Sequence, residues 1–227
     1  EFIRSIYPFE DVAGQRLLPI YYFQDSDEYC DFLVGKIGWT REQAESSGGV
    51  ASGDWYATYH QATTAPVHVH EATHQIFKNR LMLAGGGSWF QEGVAEYMSS
   101  AENELNDLQR LAKDDEHTPF RKFLVVPSLL MSNEGERVSG ESNAGLAYSQ
   151  AAAIIEYVRH AKETRAKFLP WIHAVGRTAR GDLPAIERAT VTTLGFDVDG
   201  LEARWKAYYI ARKKVRDWHW PAKKMVR

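Results

Sequence analysis

Apolar and polar positions in the first quarter of the chain predict two strands and a helix. Residues 17–24, LLPIYYFQ, are rich in aromatic and β-branched side chains and follow a glycine-containing turn, which indicates a strand. Residues 25–38 place apolar side chains at helical spacing. We expect a flexible break at 46–53, SSGGVASG, and then a second strand at 54–61, DWYATYHQ, exposed on one face. The opening part of the chain is therefore α+β in character.

From residue 66 onward the pattern is almost entirely helical. Pro66 can occupy the first turn of a helix that is predicted to end at the triple glycine, residues 85–87. Ser88 and Gln91 have the S-x-x-Q spacing of a capping box, which predicts the start of the next helix. Further helices are predicted at 104–113, 144–162, 166–175, 182–190 and 199–216, with a long polar segment at 132–143.

Net charge, cysteine content and the length of apolar runs exclude several classes of binding partner and metal site. The formal net charge is −3, so we expect neither nucleic acid nor an anionic membrane surface as a partner. Cys30 is the only cysteine, which excludes an intrachain disulfide and a zinc site of several thiolates. No apolar run reaches the roughly 18 residues of a membrane span, and the first residues lack a signal-peptide pattern. Because the chain begins without Met, a lost export signal in a bacterial protein is an open alternative; compartment and oligomeric state stay undetermined.

The stretch 67–77, VHVHEATHQIF, contains candidate metal ligands and a candidate general base. His70, Glu71 and His74 form an H-E-x-x-H motif. Two histidines four residues apart lie on one face of a helix, so both imidazoles can bind one zinc ion at about 2.0–2.1 Å. Glu71 lies beside that face, where it can take a proton from a zinc-bound water without being a ligand.

A third ligand is expected elsewhere, since catalytic zinc has three protein ligands and one open position. The segment 88–97, SWFQEGVAEY, follows the glycine turn and carries Glu92 and, one turn later, Glu96. Either glutamate can face the two histidines, and the other can accept a hydrogen bond from a zinc-bound imidazole. Spacing alone leaves the choice between them open.

These two motifs together resemble the gluzincin metallopeptidases, the clan of thermolysin and of aminopeptidases whose second motif reads W-x-x-E-G-x-A-x-Y. The resemblance covers residues 70–97 and implies that Glu92 is the third ligand, with Glu96 supporting a zinc-bound histidine. More loosely, GGVASGDWYATY, AYSQAAAIIEYV and GFDVDGLEARWKAY resemble little-characterised bacterial domains of that clan. By the same resemblance, the strand DWYATYHQ would bind an extended substrate by strand addition.

The chain also departs from the clan's best-known patterns. It has no G-x-M-E-N segment before His70, the element with which the aminopeptidases bind a free amino end, and no second histidine motif of the thermolysin kind. These departures favour an endopeptidase or an uncommon specificity.

Other residues have weaker claims. Tyr148, at the start of the 144–162 helix, either hydrogen-bonds the oxyanion, as a tyrosine does in several gluzincins, or is a core residue on an apolar stripe. His173 is the alternative donor. His68 points away from the metal face, and His60 is not expected to bind metal. The aromatic tail, including Trp205, Trp218 and Trp220, is predicted to pack in the core.

The sequence thus predicts a mostly helical α+β domain spanning 1–227. An N-terminal α+β lobe of about 1–84 would hold a small mixed sheet packed on the zinc helix. A helical C-terminal lobe would span about 88–227, with the active-site cleft between the lobes. The predicted activity is zinc-dependent hydrolysis of peptide bonds in a peptide or protein substrate. The alternatives are a zinc hydrolase of other amides or esters and a catalytically silent peptide-binding module.

Overall fold

Helices and a small mixed sheet make up the computed structural model, which describes residues 2–10, 17–60, 67–99, 105–129, 136–137, 141–142 and 144–212. The described residues form two compact units that divide between Met82 and Leu83. The fold is mostly helical and of the α+β class, as predicted. No helix in the described part of the chain combines the length and hydropathy that crossing a membrane requires.

The first unit is built on a three-stranded sheet. Its strands are β1 (Ile20–Phe23), β2 (Gly49–Ser52) and β3 (Trp55–Tyr59), in the order β1-β3-β2. The central strand β3 pairs in parallel with β1 and antiparallel with β2. Four helices complete the unit: α1 (Phe2–Ile6), α2 (Ser26–Ile37), α3 (Arg41–Glu45) and α4 (Val67–Asn79).

Two expectations about the sheet were wrong. The segment 46–53 is not a flexible break, because it contains β2, and the φ of 60° at Gly53 serves the tight turn into β3. The strand β3 is not exposed on one face, since Tyr56, Ala57 and Thr58 are all buried. The physical reason is that α2 and α4 both pack against β3.

Helix α2 follows its sequence signals closely. The Asp25 side chain accepts a hydrogen bond from the Glu28 N–H at the start, and Gly38 ends the helix in the left-handed conformation with φ 71°. Its buried face joins α3 and β3 in one core cluster: Tyr29, Cys30, Leu33, Ala44 and Ala57. Burial also raises the pKa of the Cys30 thiol, which fits a packing role for this cysteine.

The second unit is helical. Its helices are α5 (Ser88–Ser99), α6 (Leu105–Lys113), α7 (Phe120–Phe123), α8 (Ala144–His160), α9 (Phe168–Gly176), α10 (Leu183–Leu194) and α11 (Val198–Ala211). A two-residue pairing of β4 (Glu136–Arg137) with β5 (Glu141–Ser142) lies between α7 and α8. The five helices predicted after residue 100 are confirmed, although the predicted end of the last one lies outside the described residues.

Close packing of α5 on α8 forms the centre of this unit. A Cβ on Gly93 would lie only 2.9 Å from the backbone oxygen of Ala151, so a glycine is needed where the two helices meet. The α8 residues 151–155 are all fully buried. Trp205 is buried, as predicted for the aromatic tail, whereas Trp218 and Trp220 lie outside the described residues.

Candidate metal centre

Helix α4 presents the H-E-x-x-H motif while its buried side packs on the sheet. Val69, Thr73 and Phe77 are buried, and the Gln75 side-chain amide donates a hydrogen bond of 2.6 Å to the Trp55 carbonyl at the start of β3. This contact ties the middle of the helix to the central strand.

The helix is shorter than predicted. It ends at Asn79 rather than at the triple glycine, and the N–H groups of Arg80 and Leu81 both bond the Ile76 carbonyl as the chain leaves the helix. Pro66, expected in its first turn, lies outside the described residues. The glycines therefore do not stop α4 and have another use.

That use is backbone pairing with the end of α9. The Gly85 N–H donates to the Gly176 carbonyl at 2.8 Å, and a Cβ on Gly85 would lie 1.9 Å from the Thr178 carbonyl oxygen. Gly86 and Gly87 have φ values of 80° and 97°, which residues with a side chain rarely adopt. The three glycines thus let the chain before α5 pack closely against the backbone at the end of α9.

The predicted capping box of α5 was wrong. Ser88 is the first residue of the helix, and its hydroxyl accepts a hydrogen bond of 3.0 Å from the Leu129 N–H. Gln91 reaches back to the turn instead, where its side-chain amide donates to the carbonyls of Leu83 and Gly85. Gln91 therefore stabilises the turn before α5 and does not cap the helix.

His70 and His74 lie one turn apart on α4, as their spacing predicts. Both side chains are half-buried, and their ring centroids are 4.8 Å apart with the ring planes at 79°. The shared face offers two imidazole nitrogens to one ligand.

Glu92 of α5 completes the group. One ligand atom from each of His70, His74 and Glu92 lies within 4.8 Å of the other two, and all three residues are half-buried. The structure brings together the three residues that the resemblance names as ligands, and their donor atoms can hold a divalent metal ion.

Glu96 lies one turn after Glu92 on α5 and is also half-buried. Its role in supporting a zinc-bound histidine stays a prediction.

Glu71 is the buried acid of the motif. The residue is only 6% exposed, and glutamates are seldom buried to this extent. Burial raises the pKa of Tyr29 to about 12, and the charge of Glu71 adds to that rise. The pKa of Tyr56 is raised in the same way, first by burial and then by Glu71. Two buried phenols of the sheet unit thus lie in the electrostatic field of this carboxylate.

The remaining candidates lie on other elements or at the margins of α4. Tyr148 is half-buried on α8. His173 is half-buried on α9, where burial and then the nearby Arg177 lower its pKa. Neither His60 nor His68 belongs to the metal-ligating group found among the described residues, and His60 Nδ1 lies 3.2 Å from the Tyr22 hydroxyl. The oxyanion roles of Tyr148 and His173 stay predictions.

Gly49 is a close neighbour of the H-E-x-x-H motif that the spacing of the motif does not predict. Gly49, the first residue of β2, lies against the Glu71 side chain. The double glycine before a strand-like run was a signal that this position has no room for a side chain, but we interpreted it as flexibility.

Compared with models of known protein families, the chain matches none, and a search of curated proteins finds no match either.

Proposed function

We propose that this protein is a zinc-dependent peptidase that hydrolyses peptide bonds with Glu71 as general base. The observation that carries the proposal is the group of His70, His74 and Glu92, together with the buried Glu71 that lies between the two histidines on α4. Two imidazoles and one carboxylate form a donor set that proteins use for catalytic zinc.

The donor set fits zinc better than a hard cation. Mg²⁺ and Ca²⁺ prefer oxygen ligands, whereas two of the three donors here are imidazole nitrogens. Three protein ligands also leave one of zinc's four positions for water or substrate. When bound, zinc supplies a Lewis acid that polarises a carbonyl and makes water easier to deprotonate.

The side chains of the protein then divide the remaining work. Glu71 would accept the proton of the attacking water and deliver it to the leaving amine. Its burial keeps bulk water away from the carboxylate, which suits a group that acts on one bound water molecule. Tyr148 would donate a hydrogen bond to the oxyanion that develops on the substrate carbonyl.

We propose that β2, and not the β3 segment expected from the resemblance, binds an extended substrate. The strand β3 is paired on both sides, by β1 and β2, so it has no free edge for another chain. In the described part of the chain β2 is an outer strand, and α4 packs against it. We therefore assign the addition of an extended substrate to β2, whose backbone can pair with a peptide.

The test compares wild type with Glu71→Gln and His70→Ala. Glu71→Gln should keep one zinc per chain and lose at least about 100-fold in hydrolysis of a mixed peptide library, because the proton acceptor is gone. His70→Ala should lose zinc by metal analysis. The exposed Glu42→Gln on α3 is the matched control and should change neither quantity.

Three outcomes separate the alternatives. A native protein that binds no zinc would refute the whole proposal. Hydrolysis by Glu71→Gln at the wild-type rate would exclude Glu71 as the base. Bound zinc with cleavage of esters or non-peptide amides alone would indicate the other hydrolase class.

A further inference from the structure

The first residue of β2 lies in contact with the side chain of Glu71. A Cβ built on Gly49 would be 3.0 Å from Glu71 Cγ and 3.2 Å from Glu71 Oε1, and 2.7 Å from Val67 Cγ1. The contact with Val67 is closer than real side chains tolerate, and the two with Glu71 are tighter than nearly all real ones. The backbone of β2 therefore occupies the space beside the carboxylate, with no room for a further methyl group.

The backbone conformation of Gly49 does not explain the glycine. The described glycines with φ in the left-handed region do not include Gly49, which pairs in register with Thr58 as an ordinary strand residue. Space, rather than conformational freedom, is what this position requires.

A chain of hydrogen bonds fixes Gly49 to the core. The Ser47 hydroxyl donates to the Gly49 carbonyl at 2.7 Å, and the Tyr29 hydroxyl lies 2.8 Å from Ser47 Oγ. Since the Ser47 proton is engaged with Gly49, the Tyr29 hydroxyl is the donor in the second bond. Tyr29 is fully buried in the core cluster, so these hydrogen bonds connect the start of β2 to a core residue.

We propose that Gly49 is a positioning residue for Glu71, because the absent side chain at the start of β2 sets where the carboxylate lies. The steric part of this inference is independent of the proposed peptidase activity. Its catalytic consequence rests on that proposed function.

The first experiment measures the contact without any assay of activity. Gly49→Ala alone also meets Val67, so the comparison is made in a Val67→Ala background, where the closest contact is removed. The thermal midpoint should fall by a few degrees when Gly49→Ala is added to Val67→Ala. The fall should be much smaller when Glu71→Ala is also present, because the added methyl then meets no Glu71 Cγ or Oε1. An equal fall in both backgrounds would refute the proposal.

The second experiment measures the catalytic consequence in the zinc-loaded protein. Gly49→Ala/Val67→Ala should keep the zinc content and KM of Val67→Ala while kcat falls by about 10–100-fold, as expected for a displaced catalytic group. The matched control is Gly35→Ala on α2, where a Cβ meets nothing within 4 Å and kcat should not change.

The two failures can be told apart. Thermal coupling between Gly49→Ala and Glu71→Ala in a protein that hydrolyses no peptide would refute the proposed function and support the positioning of Glu71 by Gly49. Unchanged kcat in an active Gly49→Ala/Val67→Ala variant would refute the catalytic consequence of the positioning.

Discussion

The Ser47 hydroxyl connects helix α2 to the start of strand β2 through two hydrogen bonds. It accepts a hydrogen bond from Tyr29 and donates one to Gly49, and it links a buried phenol on α2 to the first residue of β2. A buried polar group that loses its partner costs more than the hydrogen bond contributes when formed.

Ser47→Ala should therefore destabilise the protein by about 1–3 kcal/mol, because the Tyr29 hydroxyl and the Gly49 carbonyl each lose a hydrogen bond. Denaturant unfolding would measure this difference. Ser46→Ala is the matched control, since Ser46 is exposed directly after α3 and its hydroxyl donates a hydrogen bond to the nearby Gln43 carbonyl. Equal losses in the two variants would show that the buried link contributes nothing.

At this scale the sequence predicts the motif residues but not their neighbours. The spacing of His70 and His74 places them one turn apart because helical periodicity is a local property of the chain. The contact of Gly49 with Glu71 joins residues 22 positions apart and depends on the packing of α4 against β2. The local double glycine can mark position 49 as one without room for a side chain, but it does not identify Glu71 as the neighbour.

Between elements, the packing of α5 against α8 explains why residue 93, in the segment SWFQEGVAEY, is a glycine. A Cβ on Gly93 would lie 2.9 Å from Ala151 O and 3.1 Å from Ala151 C. These are backbone atoms, so relief requires a shift of one helix against the other rather than a change of rotamer.

Gly93→Ala should lower the thermal midpoint even though alanine is favoured over glycine in a helix interior by about 1 kcal/mol. Gly35→Ala on α2 should raise the midpoint, because it has the same helical advantage and meets nothing within 4 Å. Thermal unfolding of the two variants would test this difference in sign. A rise for both would mean that the α5–α8 contact adapts without cost.

The ends of the elements were predicted less well than their centres. The helix predicted at 25–38 from its apolar spacing matches α2, whose caps Asp25 and Gly38 bond only groups of the same helix in the contacts that define its ends. At α5, the residues of the expected capping box bond Leu129, Leu83 and Gly85 instead. Tertiary partners outside the helix competed for the same polar groups and displaced the local arrangement.

For the molecule as a whole, the proposed zinc site draws its ligands from two helices, α4 and α5. A ligand that binds only the folded state stabilises it by mass action. The gain is about 2.7 kcal/mol at a free concentration of 100 times Kd.

Zinc should accordingly raise the thermal midpoint by roughly 5–10 °C for a chain of this size, and a chelator should reverse the rise. His74→Ala should abolish the response, because it removes one of the three ligands. His68→Ala is the matched control on the same helix and should respond like wild type. A zinc response that survives His74→Ala would place the metal elsewhere.

The sequence by itself determined the mostly helical α+β class, two of the three sheet strands, the five helices after residue 100 and the face that His70 and His74 share. These features follow from residue type and the spacing of apolar positions within short segments. Only the tertiary structure decided that β2 is an outer strand, that Gly49 touches Glu71, and that Glu92 lies with the two histidines. Each depends on contacts between residues far apart in the chain, and those contacts are set by which buried faces fit together.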